Sequence, residues 1–353
     1  MVSEITVFIL NVNDSAADCK YLRYNPHMQR KSLLAFGFHD LQSPRYRTVR
    51  DCYERKGKTV VECHTSKKGF FLKCRDLIFQ FRAKAKDCDT VVVTFPGHHL
   101  VWLGWLLTRW PRKILVFDAF VSAYDTLVSD RRKIHPWNPA APAIWLLDFL
   151  DCHLADEILI DTKAHKDFFC RTFRIHPADM TVLYLEAPPE LFHPDPHHTH
   201  IRKKTFEVLF YGSYIPLQGI DTILKAAAIL QDRHASVHFT LVGGGQTYAN
   251  MRMLAAEWRL QNVTFTPFVP LAQLPPLIHD ADVCLGIFGT GDKTMRVIPH
   301  KVIECMACGI PVITADTPAI HEKYRNGEGI HLVPAGDAHA LAGKIVELQK
   351  KMQ

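Results

Sequence analysis

Lys293-Thr294-Met295-Arg296-Val297-Ile298-Pro299-His300-Lys301-Val302-Ile303-Glu304-Cys305-Met306-Ala307-Cys308-Gly309-Ile310-Pro311-Val312-Ile313-Thr314 is the stretch whose reading decides the fold. It reads as a basic loop, a short helix, Gly309 as the stop, and then Pro311 leading into a buried strand. Pro299 suits a first helical residue, because the N–H it lacks would be unpaired there anyway. Lys293, Arg296 and Lys301 crowd the loop and the helix start, and Glu304 sits on the first turn. A helix N-terminus with added cations suits a phosphate or diphosphate. A neighbouring carboxylate suits sugar hydroxyls. The alternative is an ordinary buried helix with solvated charges.

Outward from this stretch, strands alternate with helical patterns, the signature of parallel sheets covered by helices. In the second half strands are expected at 206–212, 237–242, 263–265, 283–287, 311–314 and 330–333. Helices are expected at 219–231, 247–258, 270–279, 300–308 and 337–350. In the first half strands are expected at 5–11, 59–64, 90–95, 113–117, 157–161 and 181–185. Helices fill 67–86, 99–109, 142–154 and 163–172. A polar, proline-bearing stretch with several histidines ends near Lys204 and reads as a linker. The expected domains are therefore 1–190, a linker at 191–204, and 205–353. Two doubly wound domains facing each other would leave a ligand cleft at the carboxyl ends of their strands.

A chain of 353 residues is too long for one core and fits two domains. No apolar run reaches the length of a membrane span. The N-terminus lacks the features of a signal peptide, and ten cysteines without framework spacing favour a cytoplasmic setting. Residues 20–113 hold twenty Lys and Arg against seven Asp and Glu. Such a basic first half suits an anionic membrane, a phosphorylated substrate or nucleic acid. No recognition helix or RNA-binding aromatic motif supports nucleic acid. Trp102, Trp105 and Trp110, with Arg109, Arg112 and Lys113, form an apolar helix with a basic end. It suits a membrane surface or, more simply, a core helix.

Two glycine turns follow strands. Gly212-Ser213 leads through Gln218-Gly219 into a helix, and Gly243-Gly244-Gly245 follows the next strand. Both would let backbone approach a ligand. His98 and His99 follow the strand ending at Phe95 and could polarise a sugar hydroxyl, or be plain loop residues. Cys305 and Cys308 have metal-like spacing, but they lie inside the helix with no second pair nearby, so packing is the simpler reading.

The order of these elements over residues 206–334 resembles the C-terminal domain of the retaining glycosyltransferase family 4, which has the GT-B fold. The family's E-A-x-A-x-G-x-P-V is matched by Glu304-Cys305-Met306-Ala307-Cys308-Gly309-Ile310-Pro311-Val312. In the first half Val116–Ser122 and Ala155–Thr162 carry a weaker resemblance. The resemblance implies an α/β GT-B protein that transfers a hexose from a nucleoside diphosphate sugar, with retention and no metal or other cofactor. The chain also departs from the family. Cations of the first glycine turn are replaced by Ser213 and Gln218, and an expected carboxylate is replaced by Arg296. Lys293, Arg296 and Lys301 are therefore expected to carry the diphosphate charge, with Glu304 on the ribose. The family's histidine at the first-domain strand end is replaced by Asp118, the candidate for contacting the reacting sugar or acceptor. Asp125 and Arg131 would shape the acceptor side. The expected partners are a nucleotide-sugar donor, a glycan or lipid-linked acceptor and an anionic inner membrane face, not nucleic acid. A non-catalytic nucleotide-sugar-binding scaffold is the alternative reading.

Overall fold

The structure is a computed structural model that describes residues 32–196 and 204–352. The strand expected at 5–11 lies outside the described residues. So do His197, His198 and His200 of the linker.

Among the described residues, two six-stranded parallel sheets make up the fold. The first holds β1 (Ser32–Gly37), β2 (Thr59–His64), β3 (Cys88–Val93), β4 (Ile114–Phe120), β5 (Glu157–Ile160) and β6 (Met180–Val182), in the order β2-β1-β3-β4-β5-β6. The second holds β7 (Phe206–Ser213), β8 (Val237–Gly244), β9 (Val263–Thr266), β10 (Val283–Leu285), β11 (Val312–Ala315) and β12 (Ile330–Val333), in the order β12-β11-β10-β7-β8-β9. Strands covered on both faces need apolar side chains on both faces. All four residues of β11 and of β5 are accordingly buried.

The helices are α1 (Pro44–Arg55), α2 (Phe70–Lys84), α3 (Val101–Leu107), α4 (Ala140–Leu154), α5 (Lys163–Phe173), α6 (Ile220–Asp232), α7 (Tyr248–Glu257), α8 (Leu274–His279), α9 (His300–Ala307) and α10 (Ala338–Met352). In the second sheet's layer, Ile223, Leu224 and Leu230 of α6 and Leu341 and Ile345 of α10 close over Phe206, Val208 and Phe210 of β7. In the first, Val49 and Tyr53 of α1 cover Leu33, Val92, Val116 and Leu159.

Two compact units emerge, and they do not follow a single boundary near residue 190. One takes the described residues up to Phe120 with Phe149–Ile160 and Phe173–Tyr184. The other takes Val121–Asp148, Asp161–Thr172 and the chain from Leu185 onward. The segment holding Asp125 and Asp130 therefore belongs with the second sheet. Strand order reverses in the second sheet where β7 lies between β8 and β10. Crevices at such reversals, outside the carboxyl ends of the strands, are where doubly wound sheets bind ligands.

Candidate active site

Lys301 stands at this reversal. Pro299, with φ −65° and ψ 132°, caps α9 rather than opening it, so His300 is the first helical residue. Lys301 turns back beneath the end of β7, where a side chain on Gly212 would come within 3.1 Å of Nζ. Its ammonium donates to Gln218 Oε1 at 2.5 Å and lies 3.7 Å from the centre of the Phe210 ring. Burial lowers the Lys301 pKa to about 7, against a weaker upward pull from Cys305 and Glu304. The group it hydrogen-bonds is a neutral amide, so the protonated form, populated below about pH 7, has no carboxylate in direct contact. Ser213, also expected at the site, is exposed at the end of β7.

Glu304 is 3 % exposed and held on both oxygens. Tyr211 Oη donates to Oε2 at 2.6 Å, and His300 Nδ1 stands 2.9 Å from Oε1. Burial opposes its charge, but the bonds from His300 and Tyr211 and the charge of Lys301 bring the carboxyl below its ordinary range. His300 Nε2 faces the Glu186 carbonyl at 3.2 Å. With acceptors on both ring nitrogens the imidazole is raised despite its burial. Tyr211 and His300 were missed in the sequence. The spacing of His300 and Glu304, one helical turn apart, was the signal that could have found the second.

Lys293 and Arg296 lie in a different setting of the same unit. Arg296 Nη2 donates to Asp125 Oδ1 at 2.8 Å, and its guanidinium carbon lies 4.1 Å from the centre of the Phe168 ring. Lys293 Nζ donates to Thr126 Oγ1 at 2.7 Å and stands 3.9 Å from Asp130 Oδ2. Burial pulls Lys293 down and pushes Asp130 up, each opposed by the other's charge. Arg296 is thus hydrogen-bonded to a carboxylate and Lys293 has one 3.9 Å away, whereas Lys301 hydrogen-bonds only a neutral amide. Around them, Asp125 Oδ2, Arg131 Nε, Thr294 Oγ1 and Arg296 Nε are buried with no hydrogen-bond partner among the described residues. Buried polar atoms are almost always paired, so such a concentration marks a place built for polar ligand atoms or water.

Both glycine turns have a packing reason. A Cβ on Gly243 would lie 2.0 Å from the Gly212 carbonyl oxygen, so the ends of β7 and β8 meet backbone on backbone. Gly219, at φ 64°, would put a Cβ 2.4 Å from the Phe288 carbonyl carbon. Gly244 has room, with Phe268 at 3.4 Å. Cys305 and Cys308 are buried free thiols, in keeping with packing.

In the first unit, Asp118 does not stand open to a ligand, as the sequence reading expected. It lies inside β4, is fully buried, and takes Arg45 Nε on Oδ1 at 2.8 Å and the Phe95 amide on Oδ2 at 3.4 Å. A buried arginine needs a carboxylate more than a substrate does, and Arg45 also donates to the Leu183 carbonyl at 2.6 Å. His98 is buried among Phe95 and Phe117. His99 instead lines a pocket of about 400 Å³ with Phe38, Gly69, Phe70, Lys73 and Pro96. Burial, then the nearby charges of His98 and Lys73, lower its pKa.

Two parallel doubly wound sheets of this kind are the architecture of the GT-B fold. Residues 205–351 match the family model of the group 1 glycosyl transferases. A putative colanic acid biosynthesis glycosyltransferase, WcaL, of Salmonella typhimurium is 32 % identical over 136 residues, 38 % of this chain and 33 % of that protein. The phosphatidyl-myo-inositol mannosyltransferase of Mycobacterium leprae is 32 % identical over 142 residues, 40 % of this chain and 36 % of that protein. The matches thus span about a third of the length of these curated relatives. The crystal structure of Anabaena HepE in complex with UDP and glucose superposes with a TM-score of 0.67, covering 92 % of this chain and 91 % of that one at 16 % identity. At that identity the likeness speaks for the fold.

Proposed function

We propose that the protein is a retaining hexosyltransferase that uses a nucleoside diphosphate sugar, with the donor held by the second unit. The observation that carries this reading is Lys301, a buried ammonium bonded to a neutral amide at the end of β7. Its Nζ and the N-terminus of α9 would neutralise the donor diphosphate. That attraction grows as the leaving group gains charge, which is the condition for catalysis rather than mere binding. Glu304, braced by Tyr211 and His300, retains a second lone pair on each oxygen for ribose hydroxyls. The unpartnered atoms of Asp125, Thr294, Arg131 and Arg296 would receive the hexose, whose hydroxyls both donate and accept. In the transfer, the bond from the anomeric carbon to the diphosphate oxygen breaks and the acceptor hydroxyl oxygen takes its place. The hydroxyl proton leaves on the departing diphosphate.

The acceptor we propose is lipid-linked or otherwise anionic, met at a membrane face by the first unit. Among the described residues no helix is long and apolar enough to cross a membrane. Yet Phe71 is 86 %, Phe79 75 % and Trp110 93 % exposed; Phe71 and Phe79 lie on α2 with Lys73, Arg75 and Arg82, and Trp110 follows α3 beside Arg109. Exposed aromatic side chains amid cations suit an anionic lipid surface. Co-sedimentation with anionic vesicles at low salt, lost in Phe71→Ser/Trp110→Ser, is the expected result. No binding by the wild type would remove this part.

Incubation with a panel of nucleoside diphosphate sugars, following nucleotide release, tests the enzyme. Release abolished by Lys301→Ala and by Glu304→Ala is the expected outcome. Binding without release would favour a scaffold instead.

A further inference from the structure

We propose that the first unit carries a divalent transition-metal site, of the kind zinc occupies, formed by His39, Glu62 and His64. The side-chain ligand atoms of these three residues all lie within 4.8 Å of one another. His39 follows β1, while Glu62 and His64 alternate on β2, two residues apart, so both side chains leave the same face. The first sheet's order places β1 between β2 and β3, the point at which its own strand order reverses. Two imidazoles and one carboxylate, with a fourth position left open, is a donor set that suits zinc.

The surroundings of His39 favour an ion over a simple hydrogen-bonded cluster. His39 Nδ1 lies 2.6 Å from Thr94 Oγ1, and that hydroxyl reaches the Phe36 carbonyl at 3.3 Å. In the arrangement where the hydroxyl proton points to that carbonyl, Nδ1 donates to the hydroxyl. The neutral ring then has its lone pair on Nε2, which faces Glu62 Oε2 at 3.1 Å. Two lone pairs at that distance repel unless a proton or a metal ion stands between them. Donors about 2.1 Å from a tetrahedral ion stand roughly 3.4 Å apart, close to the separation found. The partners a metal ligand usually has are also present. Thr94 fixes the tautomer of His39, Tyr46 Oη donates to Glu62 Oε1, and the Tyr46 ring stacks on His39 with centroids 4.2 Å apart. The side chain of His39 is fully buried and that of Glu62 is one-third exposed, so an ion could enter from the Glu62 side.

The test is a titration of the full chain, first stripped with a chelator, with Co(II) alone, following the visible d–d absorption of a tetrahedral site. One Co(II) per chain with that band is expected in the wild type. His64 is only half-buried, so His64→Ala should fold, as circular dichroism would verify, and should lose the band. Thr94→Val should keep the band but weaken Co(II) binding about 10- to 100-fold, the usual effect of removing a ligand's hydrogen-bonded support. His321→Ala, a histidine of the other unit, should change nothing. Absence of the band in the wild type, or a band that survives His64→Ala unchanged, would overturn the proposal.

Discussion

Lys301 and the pair Lys293 and Arg296 come from one run of sequence, yet they meet opposite surroundings. Lys301 bonds a neutral glutamine at the end of β7, and burial alone brings its pKa to about 7. Arg296 and Lys293 face Asp125 and Asp130. A buried cation with a carboxylate is already satisfied and holds structure together. One with only a neutral partner gains most when an anion arrives. The difference supports our proposal that Lys301, rather than Lys293 or Arg296, meets the donor diphosphate.

The sharpest way to break this comparison is to remove the pairs separately. Arg296→Met leaves the Asp125 carboxylate buried without its partner and should cost about 3–5 kcal/mol of stability, read by denaturant unfolding. The double variant Arg296→Met/Asp125→Asn should recover a large part of that loss. If Arg296→Met is as stable as the wild type, the ion pair is not structural. Asp125→Asn should then separate sugar from nucleotide. Affinity for the bare nucleoside diphosphate should stay near the wild-type value, while sugar-nucleotide turnover falls at least about tenfold, equivalent to one lost hydrogen bond to a charged group. Equal loss of both would place the hexose elsewhere.

A smaller effect is expected from Tyr211→Phe. It removes one bond to the Glu304 carboxylate and should weaken nucleotide binding by about 1–2 kcal/mol, measured by calorimetry. The remaining prediction concerns pH. Lys301 titrates near 7 when folded, far below an ordinary lysine. Between those values the unfolded chain holds a proton that the folded one lacks, so stability should rise with pH across that window. Lys301→Met should flatten the rise. Nucleoside diphosphate affinity should move the other way, falling as pH climbs through 7. A flat affinity profile would mean that Lys301 stays charged or does not touch the phosphates.

The second sheet was legible in the sequence because its strands are short apolar runs bounded by glycine, proline or asparagine. All six were placed within about two residues of β7 to β12. The first sheet was read less well. β1, Ser32–Gly37, was missed because six residues buried almost throughout show no alternation. α1 was missed because its buried face includes Arg45, Tyr46 and Thr48 instead of aliphatic residues. The Ser43-Pro44 cap was the available sign. At the candidate site, the helix with Lys301 and Glu304 could be read locally. The pairing of Arg296 with Asp125 could not, since 171 residues separate them and only the fold brings them together. Asp118 was misjudged for a similar reason. Its partner Arg45 lies on a helix that the sequence pattern did not reveal.

The most direct test of the division between these cations is the dissociation constant of a nucleoside diphosphate, measured below neutral pH for two variants. Lys301→Met should weaken binding at least about tenfold, as expected for a lost charged hydrogen bond, while Lys293→Met should stay within about twofold of the wild type. Equal losses in the two variants, or a loss confined to Lys293→Met, would contradict the account.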